Sequence, residues 1–131
     1  MHARKAYLKG LNPIQNRNIP PLNYDRVIQL KKDFPEIEFT INGGFKNLDD
    51  VVEILKPENG LTGCMVGRMA YEDPWKLSDV DRRIFGVENP GYSRKEILEI
   101  WGNYCDQVIE ENPKIKWPTL IKPIIFLFKD E

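Results

Sequence analysis

Two glycine-bearing turns are the residues of this chain best suited to hold a ligand. Asn42-Gly43-Gly44 directly follows one predicted strand, and Gly67-Arg68 directly follows the next. Glycine lets the backbone approach a ligand closely, and amide N–H groups in such turns attract phosphate, especially beside a helix amino terminus. Arg68 would add a fixed charge and a planar fork of donors. The pattern predicts a phosphate-binding cradle; the alternative is that these glycines serve only tight turns.

Positive charge is concentrated at the amino-terminal end of the sequence. The whole chain has 131 residues, 19 basic and 20 acidic side chains, and a formal net charge of -1. Residues 1–32 contain a single acid, Asp25, and seven basic side chains: Arg4, Lys5, Lys9, Arg17, Arg26, Lys31 and Lys32. Such a segment is a candidate polyanion site, because phosphate contacts dominate nucleic-acid affinity. The alternative is a solvated loop whose charges pair with the acidic remainder.

The histidine and cysteine residues give little support for a catalytic or metal site. His2 is the only imidazole, and a lone histidine beside Arg4-Lys5 is more typical of a surface than of a catalytic site. Cys64 and Cys105 lie in apolar runs rather than in a C-x-x-C pair, which predicts reduced thiols, no metal site and a cytoplasmic location. No apolar run reaches the roughly 18 residues of a membrane-spanning helix, and we expect neither a membrane association nor a secretory signal.

Alternation of helices and strands must position the two glycine turns. Residues 8–22 predict a long ordered loop because they contain Gly10, Pro13, Pro20 and Pro21. The spacing then predicts a helix from Tyr24 to about Lys32, a strand over 37–41, a helix capped by Asn47, and a buried strand over 61–66. This βα order predicts an α/β fold with parallel strands, and two such strands cannot close a core alone.

The pattern changes after Gly86. Ser93 and Glu96 have capping-box spacing before a helix that reaches about Glu111, and a last apolar segment over 119–128 also reads as helical. We therefore expect an α/β part over residues 1–86 and a helical part over 87–131. Exposed edges of an open parallel sheet favour self-association or pairing with an amino-terminal half.

Five ordered sequence blocks carry a resemblance to a known family. They are HARKAYLKGLNP over 2–13, NRNIPPL over 16–22, DFP over 33–35, INGG over 41–44 and MVGRMAY over 65–71. Together they resemble the tRNA-dihydrouridine synthases, most closely the DusA subfamily. The resemblance implies the carboxy-terminal part of a flavin-binding (β/α)8 TIM barrel, about its last two or three βα units, followed by a truncated helical domain.

The resemblance also implies an activity and a set of site residues. The family reduces uridine in tRNA with NADPH through FMN, so this chain would be a flavoprotein fragment of an oxidoreductase whose partner is tRNA. By position, the residues that would contact FMN are His2, Asn42, Gly43, Gly44, Gly67 and Arg68. Arg17 and Lys122 match positions that contact tRNA, and the neighbouring Arg4, Lys5 and Lys9 are assigned to the same surface.

Departures from the family pattern define the competing interpretation. The first five strands and the catalytic cysteine have no counterpart, and Cys64 cannot replace that cysteine because it falls within the eighth strand. No catalytic residue is assigned, and we expect the chain alone to be inactive. The alternative is a non-catalytic RNA-binding or scaffold relic that kept the basic loop, the segment that contains Arg4, Lys5, Lys9 and Arg17.

Overall fold

The computed structural model describes residues 1–129. The chain forms two compact units, one over Met1–Arg68 and one from Met69 onward. The first unit contains both strands, and the second is helical among its described residues. The predicted boundary at residue 86 stays a prediction.

Parallel strands form the centre of the first unit. β1 (Thr40–Asn42) pairs in parallel with β2 (Gly63–Met65), with Asn42 opposite Met65. Residues 1–3 extend along the other side of β1, where the Ala3 amide donates to the Asn42 carbonyl at 2.7 Å and the Asn42 amide donates to the Met1 carbonyl at 2.8 Å. The parallel α/β prediction is confirmed, in a small arrangement consistent with part of a TIM barrel.

Three helices accompany these strands: α1 (Pro13–Asn18), α2 (Tyr24–Asp33) and α3 (Leu48–Ile54). Asn23 caps α2 and Asn47 caps α3, each accepting a bond from the amide three residues later, as predicted. The core of the unit is apolar and contains Ala3, Val27, Ile41, Phe45, Leu48, Val51, Ile54 and Leu61. Burial of these side chains stabilises the strand edge on which both glycine turns lie.

The prediction of a continuous loop over residues 8–22 is wrong, because α1 lies inside it. Asn12 accepts a bond from the Gln15 amide, the Gln15 side chain accepts one from the Asn12 amide, and Pro13 occupies the first helical position. This is a capping box with its favoured proline. The sequence signal was therefore present but was outweighed by the turn residues around it.

The two strands are also shorter than predicted. β1 begins at Thr40 rather than Ile37, since Lys31 Nζ donates to the carbonyls of Pro35 and Ile37 at 2.7 and 2.9 Å and holds this stretch against the end of α2. β2 contains only the middle of the predicted 61–66 segment. Met65 is 46% exposed, so the prediction of a fully buried strand is wrong at this end.

The second unit is built on a long helix. α4 (Gly67–Glu72) begins in the first unit and leads to a 3-10 segment (Pro74–Asp79), a π-helical turn (Asp81–Phe85), α5 (Arg94–Glu111) and α6 (Trp117–Ile121). Both bonds of the predicted capping box between Ser93 and Glu96 are present. Trp101 Nε1 donates to the Leu120 carbonyl at 2.9 Å, which fixes α6 on α5.

The predicted helix over 119–128 is only partly present. α6 ends at Ile121, and the chain continues to Lys129 in turns such as the bond from the Leu127 amide to the Ile124 carbonyl at 2.9 Å. Pro123 lacks an amide N–H and cannot continue an α-helix, which explains the change. No helix among residues 1–129 is long and apolar enough to cross a membrane.

Candidate anion-binding site

The carboxyl ends of three parallel segments meet at one edge of the first unit. His2 forms a bridge with Asn42, and Asn42 pairs with Met65 on its other side. The Asn42-Gly43-Gly44 turn and the Gly67-Arg68 turn therefore leave the same edge, next to His2. Such edges, outside the carboxyl ends of parallel strands, are the usual ligand sites of α/β folds.

Close packing explains why two glycines follow β1. A Cβ atom on Gly43 would lie 2.7 Å from Leu22 Cδ2 and 3.1 Å from Ala3 Cβ, and one on Gly44 would lie 2.8 Å from Leu22 Cδ1. Gly44 also has a φ of 75°, in the left-handed region that favours glycine. The Tyr24 hydroxyl donates to the Gly43 carbonyl at 2.5 Å and so holds the turn against α2. These glycines thus have a packing role whether or not their amides bind a ligand.

The second turn places Arg68 at the start of α4. Gly67 opens the helix, and Arg68 Nη1 donates to Asn18 Oδ1 at 2.9 Å. Asn18 ends α1, one residue after Arg17. The bond therefore places the start of α4 next to the end of α1, in the basic loop.

Basic groups near this edge lower the pKa of His2. Partial burial lowers its pKa below the ordinary value of 6.5, and the charges of Arg4, the N-terminal amine, Arg68 and Arg17 lower it further. The guanidinium groups of Arg4, Arg17 and Arg68 thus all lie close enough to His2 to influence its pKa. An anion bound here would be attracted by three charges that cannot be lost at neutral pH. The donor set fits a phosphate group.

Arg4 has a structural task as well. Its guanidinium donates to the Pro20 carbonyl, its backbone forms an antiparallel bridge with Leu22, and its amide donates to His2 Nδ1 at 3.2 Å. The last bond requires a ring nitrogen that carries no proton, in agreement with the lowered pKa. Arg4 thus fixes both the loop and the imidazole beside it.

The remaining basic residues assigned to RNA lie at different distances from this edge. Lys5 and Lys9 are exposed in the loop that leads to α1, and Arg17 is exposed in the last turn of α1. Lys122 is exposed just after α6, in the second unit. The structure therefore groups Arg4, Lys5, Lys9 and Arg17 within one unit and leaves Lys122 in the other.

Cys64 does not supply a reactive thiolate at this edge. Cys64 lies inside β2 opposite Ile41, and its burial raises the pKa of the thiol to about 12. Cys105 is half-buried in α5, and both cysteines are free. Residues 1–129 also contain no group of three or more His, Cys, Asp or Glu side chains that could hold a metal ion.

Two polar residues important for the site escaped the sequence interpretation. Asn16 bonds to the Tyr7 backbone through both its carbonyl and its amide group, and Asn18 accepts the bond from Arg68. Their role depends on partners 9 and 50 residues away, so no local motif shows it. Both residues lie in the NRNIPPL block, which carried the family resemblance but assigned them no role.

Comparison with known proteins supplies the family. A family model described as Dihydrouridine synthase (Dus) matches residues 1–116. The tRNA-dihydrouridine(20/20a) synthase of Vibrio vulnificus is 47% identical over 107 residues, which cover 82% of this chain and 32% of that protein. The protein of the same name from Salmonella typhi is 53% identical over 111 residues, or 85% of this chain and 32% of the relative. The Pseudomonas putida protein of the same name is 48% identical over 98 residues, which cover 75% of this chain and 28% of that protein.

The parallel strands and the helices that follow them make the first unit an α/β fold, which is consistent with part of a TIM barrel. Within that class, the chain belongs to the dihydrouridine synthase family. The resemblance seen in the five sequence blocks is thereby confirmed. The chain spans about a third of the length of the curated relatives it matches.

Proposed function

We propose that this chain carries the flavin-phosphate side, and part of the tRNA surface, of an FMN-dependent tRNA-dihydrouridine synthase. The observation that supports the proposal most strongly is the arginine cluster around His2. In it Arg68 is bonded to Asn18, next to Arg17, and the Arg4 amide donates to His2 Nδ1. The cluster lies at the carboxyl edge of parallel strands, in a chain that belongs to the dihydrouridine synthase family. Fixed positive charge and backbone amides are the groups that commonly bind a cofactor phosphate.

The flavin part of the proposal uses six residues. Arg68 would hold the phosphate together with the turn amides. His2, on the segment that runs beside β1, would contact the flavin. The turn residues are Asn42, Gly43, Gly44 and Gly67. When bound, FMN supplies the hydride for reduction of the uracil ring, with NADPH as its reductant. The task of this chain is to bind and orient the cofactor.

The tRNA part of the proposal uses the basic loop. Arg4, Lys5, Lys9 and Arg17 lie between His2 and α2, and the first acid in the sequence is Asp25. These side chains would bind backbone phosphates and position the RNA without reading its bases. Lys122, in the helical part that we assign to residues 87–131, would add a separate contact. The cytoplasm, where unpaired thiols persist, is the proposed location.

We further propose that the 131-residue chain is inactive by itself. General acid catalysis of proton donation to the reduced uracil ring is most efficient when the pKa of the acid lies near the operating pH. The Cys64 thiol, with a pKa of about 12 and a place inside β2, is too weak an acid and is half-buried. The remaining residues of a complete enzyme would have to supply this group.

One observation favours a second function, RNA binding without catalysis. The basic loop is held by contacts internal to the first unit, such as Asn16 with Tyr7 and Arg68 with Asn18. Its shape therefore does not depend on a bound flavin. A chain of this kind could bind RNA as a module or scaffold even with the cofactor absent.

Flavin absorbance separates the two functions. We expect the purified chain to bind little FMN, and a mixture with the amino-terminal part of a relative to gain flavin absorbance and form dihydrouridine in a tRNA transcript. Arg68→Ala should reduce this gain, whereas Arg26→Ala, which changes an exposed arginine of α2 outside the cluster, should not. RNA binding by a mixture that never acquires flavin would contradict the enzyme proposal and support the binding module.

A further inference from the structure

An open groove of about 390 Å³ lies in the basic loop, apart from the residues assigned to FMN. Its lining includes Tyr7, Lys9, Leu11, Ile19, Pro20 and Pro21. The volume falls within the roughly 300–1,000 Å³ of small-ligand sites. Tyr7 is 44% exposed and Ile19 is 60% exposed, so one flat ring and one aliphatic side chain face solvent here.

Asn16 holds the backbone of Tyr7 in place. The Tyr7 amide donates to Asn16 Oδ1 at 2.8 Å, and Asn16 Nδ2 donates to the Tyr7 carbonyl at 2.9 Å. Asn16 Nδ2 also lies 3.3 Å from the Leu11 carbonyl. One asparagine of α1 therefore fixes both ends of the loop that forms the groove. An exposed aromatic residue with a fixed backbone binds flat partners at a low entropic cost.

The charge around the groove selects the kind of partner. Lys5 Nζ lies over one face of the Tyr7 ring, 5.4 Å from its centroid, so a base would stack on the other face. Lys9 lines the groove, and residues 1–24 of the sequence contain no acidic side chain. A surface that combines an exposed aromatic ring with neighbouring lysines complements a stretch of unpaired nucleotides. The bases can stack on the ring while the lysines neutralise the phosphates.

From this geometry we infer that the groove binds one unpaired nucleobase of an RNA, stacked on Tyr7, with Lys5 and Lys9 on the adjoining phosphates. The inference rests on the proposed tRNA function and adds a base contact to a loop otherwise assigned to phosphates alone. Stacking accepts any base, so the groove would position the RNA without selecting its sequence. Asn16 is a positioning residue because it acts through the Tyr7 backbone.

The test uses the 131-residue chain and a uridine-rich single-stranded RNA with one 2-aminopurine, whose fluorescence is quenched on stacking. We expect quenching by the wild-type chain. Tyr7→Ala should weaken binding about 5- to 150-fold and remove the quenching, because one base–aromatic stack contributes that much. Tyr7→Phe should restore both. Lys9→Ala should reduce the salt slope by about 0.7, whereas Tyr7→Ala should leave the slope unchanged.

Two controls make the outcome decisive. Tyr104→Ala changes a tyrosine of similar exposure, 50%, on α5 and should leave RNA binding unchanged. Inorganic polyphosphate has charge but no bases, so its affinity should not respond to Tyr7→Ala. Equal affinities of the wild type and Tyr7→Ala for RNA, absence of quenching by the wild type, or equal losses for RNA and polyphosphate would each overturn the inference.

The same titrations separate this inference from the proposed tRNA surface. If Arg17→Ala leaves the affinity and the salt slope unchanged while Tyr7→Ala removes quenching, the phosphate assignment of Arg17 fails and the groove stands. If Arg17→Ala reduces the slope while Tyr7→Ala has no effect, the groove is refuted and the tRNA surface stands. A wild-type chain that binds no RNA would overturn both.

Discussion

Arg68 Nη1 donates a 2.9 Å hydrogen bond to Asn18 Oδ1, although the two residues are 50 positions apart in the chain. The bond ties the start of α4 to the end of α1. It uses one of the five N–H donors of the guanidinium and leaves the others for an anion. The basic loop and the second glycine turn thus form one surface.

The lowered pKa of His2 gives a prediction that a single resonance can test. Because His2 is the only histidine, its NMR titration is free of overlap. We expect a midpoint below 6.5, the ordinary value. In the window between the folded pKa and 6.5 the unfolded chain binds more protons, so the free energy of unfolding should increase as pH rises through it. A midpoint at or above 6.5 would contradict the placement of Arg4, Arg17 and Arg68 near His2.

Substitution of Arg68 should move that midpoint. Arg68 contributes less than burial and less than Arg4 to the lowered pKa of His2, so in Arg68→Ala the pKa should rise but remain below 6.5. Arg26→Ala is the matched control, because Arg26 does not contribute to the shift, and its midpoint should equal that of the wild type. Equal midpoints in all three chains would place Arg68 outside the electrostatic neighbourhood of His2.

Arg17 should contribute to RNA affinity through counterion release. In Arg17→Ala the slope of log affinity against log salt should become shallower by roughly 0.7 to 0.9, the value for one lost phosphate contact. Filter binding of a tRNA transcript at several salt concentrations measures it, with Arg26→Ala as the control. The same affinity and slope in Arg17→Ala and wild type would favour the solvated-loop interpretation.

The cap of α3 should contribute measurably to stability. Asn47 Oδ1 accepts a bond from the Asp50 amide at 2.8 Å. Asn47→Ala should lower the free energy of unfolding by about 1 kcal/mol, as measured by urea denaturation. Asn103→Ala removes an exposed asparagine from the interior of α5 and should cost nothing, because alanine is the better helix former. Equal losses in the two variants would argue against the cap.

The strand edge should favour association. β2 ends the two-stranded sheet of the described residues, and an unpaired strand edge is a template for pairing with another chain. We expect light scattering at micromolar concentration to detect oligomers of the 131-residue chain. A monodisperse monomer would count against the self-association proposed from the sequence.

Local signals and distant contacts explain what the sequence could predict. The helices capped by Asn23, Asn47 and Ser93 were predicted because a cap acts on an amide three residues away. The shared edge of the two glycine turns followed from parallel βα order alone. By contrast, the shortening of β1 depends on side-chain bonds from Lys31 to carbonyls four and six residues away, and the placement of Arg68 depends on Asn18, 50 residues away. Neither kind of bond has a periodic signal in the sequence.

The packing of the glycine pair shows the same limit. The alternative considered from the sequence was a tight turn, and the turn is indeed left-handed at Gly44. The stronger requirement comes from Leu22, whose side chain fills the space that a Cβ atom on Gly43 would need. A substitution to alanine at Gly43 would therefore disturb packing as well as any cofactor contact, and Arg68 is the sharper probe of the phosphate site.

The most direct measurement is the FMN affinity of a full-length synthase that carries these residues, compared between wild type, Arg68→Ala and Arg26→Ala. A charge-assisted hydrogen bond to phosphate contributes about 1.5–3 kcal/mol. We therefore expect Arg68→Ala to weaken FMN binding roughly ten- to a hundredfold in a fluorescence titration, with Arg26→Ala unchanged. An unaltered FMN affinity in Arg68→Ala would contradict the assignment of this edge as the flavin-phosphate site.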